Sequence, residues 1–240
     1  MRAESEREKV RANLLRAISH DLRTPLTSIY GSCSAIMENY DRLKKEQTWK
    51  LLGEMKEDAE WLIRMVENLL SVTRLDGNAA SVVKRPIVLE ELIDAVLVKF
   101  KKRYPNQPVQ VQIPDQFVSI PMDAMLIEQV LINILENAVF HAGNISLLSL
   151  RVFLSGPRAV FDISDEGCGI PRDRLNTLFS GYRGKGPAPA DGNKHGMGIG
   201  LSVCATIIRA PGGDMQAESR AGKGTVMRFS LETEDVEHEQ

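Results

Sequence analysis

The stretch Ser19-His20-Asp21-Leu22-Arg23-Thr24-Pro25-Leu26 sets a titratable imidazole beside a carboxylate on an amphipathic segment. Around it, Leu14, Leu15, Ile18, Leu22, Leu26 and Ile29 recur at helical spacing between about residues 5 and 40. Asp21 and Arg23 mark the charged face of that helix, and Pro25 follows where a helix normally kinks. Near neutral pH an imidazole can act as a nucleophile, and an adjacent carboxylate can fix its tautomer and raise its basicity. Read alone, the pair is a surface histidine beside a solvated aspartate. The rest of the chain decides between that and covalent chemistry on His20.

A second helical run, roughly residues 47 to 75, carries Leu51, Leu52, Met55, Leu62, Met65, Val66, Leu69 and Leu70. The polar link Asn39 to Glu46 between the runs is short, which predicts an antiparallel all-α hairpin. A lone hairpin cannot cover both its apolar stripes. Pairing with a second copy, as a dimeric four-helix bundle, solves this, so a homodimer is expected. Leu75-Asp76-Gly77-Asn78 carries helix stop signals and closes a first domain at residues 1–78.

Beyond it the texture changes. Val82-Val83 and Val109 to Ile113 read as strands, Leu89 to Lys102 and Asp123 to His141 as helices. Ile145 to Phe153 and Ala159 to Ser164 read as a hairpin around Ser155-Gly156-Pro157, followed by a helix from Ile199 to Arg209 and a strand from Thr225 to Leu231. This order predicts an α/β sandwich over residues 79–232. Residues 233–240 form an acidic tail expected to be disordered.

Composition narrows the function classes. The 240 residues carry 30 basic and 32 acidic side chains, a net charge of -2, so no field recruits nucleic acid or an anionic membrane. No run approaches the roughly eighteen apolar residues of a membrane span. The charged N-terminus (Arg2, Glu4, Glu6, Arg7) is unlike a secretory signal. Cys33, Cys168 and Cys204 are scattered and read as reduced thiols of a cytoplasmic protein.

Four segments of the sandwich carry nucleotide-site chemistry. Asn133 and Asn137 lie four apart in a helix and share a face; their carbonyls either hold hydrated magnesium or are ordinary polar helix positions. Asp165-Glu166-Gly167-Cys168-Gly169-Ile170 ends a strand. Its carboxylate can accept from an exocyclic amine such as that of adenine, and Gly167 and Gly169 allow close approach; alternatively it is an ordinary turn with Cys168 as a small filler. Gly196-Met197-Gly198-Ile199-Gly200-Leu201 leads into a helix whose amides can face phosphates. A loop, residues 181 to 193, precedes it and reads as a mobile lid rather than a dinucleotide fold. Arg183 and Lys185 on that lid either touch phosphates or are solvated charges. Gly222-Lys223-Gly224-Thr225 turns into the last strand and reads as mostly structural.

Taken together, these segments resemble the transmitter region of a sensor histidine kinase. His20 to Pro25 looks like its phosphoacceptor box. Asn133 to Ala138, Asp165 to Gly169 and Gly196 to Leu201 look like the N, G1 and G2 boxes of the Bergerat-type ATP-binding domain shared with gyrase, Hsp90 and MutL, and Phe179 with Tyr182 resembles the F box before the ATP lid. The wording Ile18 to Ile29 is most similar to KdpD-type, potassium-responsive kinases.

The resemblance implies an ATP- and magnesium-dependent kinase that phosphorylates its own His20 and passes the phosphoryl group to an aspartate of a response regulator receiver domain. Asp21 would activate His20, Arg23 would neutralise the transferred group, and Thr24 would orient water for dephosphorylating the regulator. Asn137 matches the magnesium ligand and Asn133 lies beside the same phosphates. Asp165 matches the adenine reader. Gly167, Gly169, Gly196, Gly198, Gly200, Leu201, Thr225, Arg183 and Lys185 complete the expected ATP-binding set. A membrane would enter only through a sensor region outside this sequence, if the chain is a fragment of a longer receptor.

Two departures stand out. Phe140 occupies a place where such kinases often carry a cation near the phosphates, whose loss costs about 1–3 kcal/mol on the scale of a charged hydrogen bond. Ala210-Pro211-Gly212-Gly213 replaces the usual His-Gly-Gly turn. Phe140 motivates an alternative, a catalytically weak dimeric module acting mainly as phosphatase or scaffold.

Overall fold

The structure, a computed structural model, describes residues 22–76, 85–141, 147–179 and 199–234. The chain divides into two compact units, Met1–Leu69 and Leu70–Gln240.

The first unit is helical. Helix α1, described over residues 22–38, already includes Pro25, which is buried. Its end is closed by Asn39, whose backbone N–H and side-chain Nδ2 both donate to the Ala35 carbonyl. A short turn leads to α2, Lys45–Asp76. The Lys44 N–H donates to Gln47 Oε1 at 3.0 Å, one half of a capping box that satisfies a donor the helix leaves open. On α2, Asp58, Trp61 and Met65 are buried on one side. Trp49, Leu52, Ile63 and Val66 fall on the other side and are exposed, Trp49 by 66%. On α1, Leu26, Tyr30 and Met37 form a second exposed stripe. The hairpin thus carries more apolar surface than it buries by itself.

The second unit is an α/β sandwich. A five-stranded sheet has the order β2-β4-β5-β7-β6, from Val109–Gln112, Leu148–Ser155, Arg158–Asp165, Thr225–Glu232 and Asp214–Ser219. Only the β2–β4 pair is parallel. Helices α3 (Leu89–Arg103), α4 (Ala124–His141) and α6 (Ile199–Arg209) pack over one face, with a short α5 (Arg172–Leu175) between β5 and α6. Asp123 starts α4 by accepting from the Met125 and Leu126 amides at 3.0 and 3.3 Å, an N-cap that answers two open donors. The core lies between helices and sheet, where Phe161 of β5 stacks on Phe229 of β7 with centroids 4.5 Å apart. Lys99–Glu128 and Arg103–Glu136 ion pairs tie α3 to α4.

A two-stranded antiparallel sheet pairs β1 (Arg85–Val88) with β3 (Ser119–Met122). The chain beyond β7 is held by two backbone hydrogen bonds: Thr233 N–H donates to the Pro157 carbonyl of the β4–β5 turn at 2.9 Å, and Glu234 N–H to the Ser119 carbonyl of β3 at 3.2 Å. Thr233 and Glu234 are therefore anchored rather than part of a free tail. The expected helices from Leu89, Asp123 and Ile199 and the β4–β5 hairpin form where the sequence placed them. Val82-Val83 lies outside the described residues. The expected strands do not include β1, β3 or β6: Pro86 and Pro121 interrupt the donor pattern of the first two, and Asp-Met-Gln-Ala-Glu-Ser is poor strand sequence that forms as an edge against β7.

The face away from the helices is polar. Register places Arg151, Asp162 and Arg228 in one row across β4, β5 and β7. Asp162 accepts from Arg228 Nε and Nη2 at 2.6 and 2.7 Å and from Arg151 Nη2 at 3.2 Å. The Arg228 guanidinium, aided by Arg151, holds the Asp162 carboxyl below its ordinary value of 3.8 despite burial, which acts the other way. A depressed folded-state pKa stabilises the fold above the unfolded value, and that stability is lost as pH falls through the folded one. Asp162→Ala is expected to cost about 1–3 kcal/mol at neutral pH. In urea unfolding, the gap from wild type should shrink below pH 3.8; a gap unchanged at acid pH would contradict this.

Candidate nucleotide site

β5, β7 and β6 reach one edge of the sheet together, and their registers align three side chains there. Asp165 pairs with Thr225, and Thr225 with Ser219. All three share the strand parity of Phe161, Phe229 and Met215, so they point toward the helix layer. Asp165 Oδ1 accepts from the Gly167 amide at 2.9 Å. Burial raises the Asp165 carboxyl above its ordinary value, while the Gly167 and Thr225 backbone N–H groups oppose the shift. A partly desolvated carboxylate held by two backbone donors is a directed acceptor.

The loop after Asp165 lies flat on the β6–β7 turn. The Gly222 amide donates to the Cys168 carbonyl at 2.7 Å, and the Ile170 amide to Ser219 Oγ at 2.7 Å. Gly169 has φ +73°, and a Cβ there would overlap the Arg220 carbonyl. Gly224 has φ +81°, and a Cβ there would overlap the Asp165 carbonyl. Only glycine fits at either place. The Gly222 to Thr225 turn, read from sequence as mostly structural, therefore abuts Asp165 directly. Cys168 is exposed and fills no core position.

The asparagine pair divides its work. Asn133 is buried; its Oδ1 accepts from Gln129 Nε2 at 3.3 Å, and its Nδ2 faces Cys204 Sγ at 3.7 Å. It locks α4 to α6, where burial pushes the Cys204 thiol up to about 12. Asn137 is half-buried, and its Nδ2 donates to the Asn133 carbonyl at 2.7 Å. With the nitrogen engaged, its oxygen is the atom left for a ligand. A Cβ on Gly200 would stand 3.9 Å from Asn137 Nδ2, so the start of α6 lies beside Asn137. Leu201 is buried beneath it. Phe140 lies edge-on to Tyr104, with centroids 6.1 Å apart, and Tyr104 packs in turn on Phe100 of α3. Its ring serves the α3–α4 contact.

Arg23 and Thr24 are exposed on α1. His20, Asp21, Tyr182, Arg183, Lys185, Gly196 and Gly198 lie outside the described residues, and Phe179 sits in a turn after α5. The structure thus brings together Asp165, Gly167, Gly169 and Thr225, and separately Asn137 and Gly200. Ser219 escaped the sequence reading, because an isolated serine at the end of a polar edge strand carries no local signal.

Comparison with known proteins matches this arrangement. Residues 10–78 match the family described as the His Kinase A (phospho-acceptor) domain, and residues 122–235 the Histidine kinase-, DNA gyrase B-, and HSP90-like ATPase. Sensor protein KdpD of Clostridium acetobutylicum is 36% identical over 233 residues, which are 97% of this chain and 26% of KdpD. The adaptive-response sensory kinase SasA of Synechococcus elongatus is 28% identical over 95% of this chain and 60% of SasA. The chain spans about a quarter of the length of its KdpD relatives. Among solved structures, histidine kinase ThkA in complex with response regulator TrrA shares the fold at a TM-score of 0.72 and 23% identity, over 97% of this chain and 65% of that one. Acinetobacter baumannii histidine kinase AdeS does so at 0.65 and 21%, over 90% and 98%. A phosphoacceptor helical region followed in one chain by a gyrase B- and HSP90-like ATP-binding region makes this protein a member of the sensor histidine kinases, with KdpD among its relatives.

Proposed function

We propose that the chain is the ATP-dependent transmitter of a two-component system, with its helical domain running to residue 78 and its ATP-binding domain following. The observation that carries this reading is a sandwich that follows a phosphoacceptor-type hairpin and holds Asp165 and Thr225 on the helix-facing side of its sheet. ATP would place its adenine amine on Asp165 and its phosphates toward Asn137 and the start of α6, with Gly167, Gly169, Gly196, Gly198, Gly200 and Leu201 shaping the walls and Arg183 and Lys185 reaching from the lid. Hydrated magnesium needs only one or two protein oxygens besides phosphates and waters. Asn137, with its nitrogen engaged and its oxygen open, fits that need; bound there, the ion would screen phosphate charge.

The outer ring nitrogen of His20 then attacks the γ-phosphorus, the bond to the β-phosphate oxygen breaks, and ADP leaves. Asp21 holds the other ring nitrogen and assists proton loss. Arg23, exposed on α1, is free to meet the developing charge. Phosphohistidine passes its phosphoryl group to a receiver-domain aspartate, and Thr24, one turn after His20, orients water for the reverse task. The cellular place of this chemistry is the cytoplasm, either free or beneath a membrane sensor.

The exposed stripes of the hairpin support a homodimer. Trp49, Leu52, Ile63 and Val66 repeat near heptad spacing on α2, the pattern of a helix–helix seam. Each large aliphatic side chain covered there contributes about 1.5–3 kcal/mol. Leu52→Glu with Ile63→Glu should convert a dimer to a monomer in light scattering, and an unchanged dimer would place the interface elsewhere.

With radiolabelled ATP and magnesium, wild type should acquire acid-labile label, and His20→Gln should acquire none while binding ATP normally. No label on ATP-saturated wild type would refute the kinase assignment. Thr24→Ala should keep the label and lose most phosphatase activity; equal loss of both would count against the role given to Thr24.

A further inference from the structure

We infer that Ser219 is a positioning residue of the nucleotide site, whose hydroxyl makes the Asp165–Thr225 pair accept hydrogen bonds only. The inference rests on Asp165 reading the adenine amine and adds the group that sets the polarity of that readout.

The argument is a count of protons. Ser219 Oγ has three polar neighbours: the Ile170 amide at 2.7 Å, the Gly224 carbonyl at 2.9 Å and Thr225 Oγ1 at 3.0 Å. A hydroxyl has one proton and two lone pairs. The Ile170 amide can only donate and takes one lone pair. The Gly224 carbonyl can only accept, so it takes the Ser219 proton. With the Thr225 hydroxyl donating to the remaining lone pair, all three contacts are hydrogen bonds. The Thr225 oxygen is left with its lone pairs toward the row that ends in Asp165. Two acceptors side by side, a carboxylate and a hydroxyl oxygen, match the two N–H groups of an exocyclic amine and oppose a carbonyl at the same position. The same hydroxyl pins the far end of the Asp165 loop through Ile170, while Gly224 bears on its near end. One side chain therefore sets both the loop position and the hydrogen-bond sense of the site.

Thr225 is buried, so its hydroxyl cannot exchange this partner for bulk water. Replacing Ser219 with alanine removes the acceptor and frees the Thr225 proton to turn toward the base. The selectivity of the site should relax, which a general loss of stability would not produce.

The test is isothermal titration of the full chain with ATP and with inosine triphosphate, which carries a carbonyl in place of the amine. Wild type should favour ATP. Ser219→Ala should reduce the ATP-to-inosine triphosphate affinity ratio by about tenfold, the equivalent of one hydrogen bond. The ratio is taken on one preparation, so a partly unfolded sample does not alter it. Ser219→Thr keeps the hydroxyl and should hold the wild-type ratio, and this variant still decides the matter if the alanine protein does not fold. An unchanged ratio in Ser219→Ala, or a collapsed ratio in folded Ser219→Thr, overturns the inference. Asp165→Asn separates it from the reading beneath. If that variant binds ATP as wild type does, Asp165 is not the base reader and both fail. If it loses ATP while Ser219→Ala keeps the wild-type ratio, only the role of Ser219 fails.

Discussion

The common ending of β5, β7 and β6 is the constraint on which the candidate nucleotide site depends. It puts a carboxylate, a threonine hydroxyl and a serine hydroxyl in one row at the sheet edge, each from a different strand. The register behind this row is held from both faces of the sheet. On the helix side Phe161 stacks on Phe229; on the open side Arg228 and Arg151 grip Asp162. A slip of one residue would send every one of these side chains to the wrong face. The glycines at 169 and 224 then let two loops lie backbone to backbone against the row, with no room for a methyl group.

The helix layer supplies the other wall. Asn133 and Asn137 look equivalent as a spaced pair, yet they act at different levels. Asn133 spends its amide on joining α4 to α6, and that joint sets where α6 begins relative to Asn137. The wall proposed to face the phosphates is thus built on a buried polar contact. Phe140 is part of the same scaffold: its ring meets Tyr104 at the end of α3 and closes the aromatic contact between α3 and α4. At the place where the resemblance led to the expectation of a cation, Phe140 contributes a packing contact.

The helical unit follows a different economy. Its two helices bury one side around Trp61 and Met65 and leave a second apolar side open. Exposed apolar stripes of this kind mark an interaction surface. A four-helix bundle from two copies, as proposed above, would cover that side.

Much of this was legible in the amino-acid sequence. Helical periodicity, the Asp123 cap and the hairpin at Ser155 to Pro157 depend on local physics, and local physics is written in neighbouring residues. The order of the boxes carried the family, because each pairs a side-chain chemistry with glycines its backbone requires. Strand β6 was not legible, since its polar sequence becomes a strand only by pairing with β7. Nor was the burial of Asn133, the packing of Phe140 or the place of Ser219. Each of these depends on a partner distant in the chain: Cys204, Tyr104 and Ile170. The sequence by itself determined which groups are available to bind nucleotide and accept phosphate. The tertiary structure alone decided which of the described ones line the candidate site and which hold the frame, because that choice is made by contacts between strands and helices that no local pattern encodes.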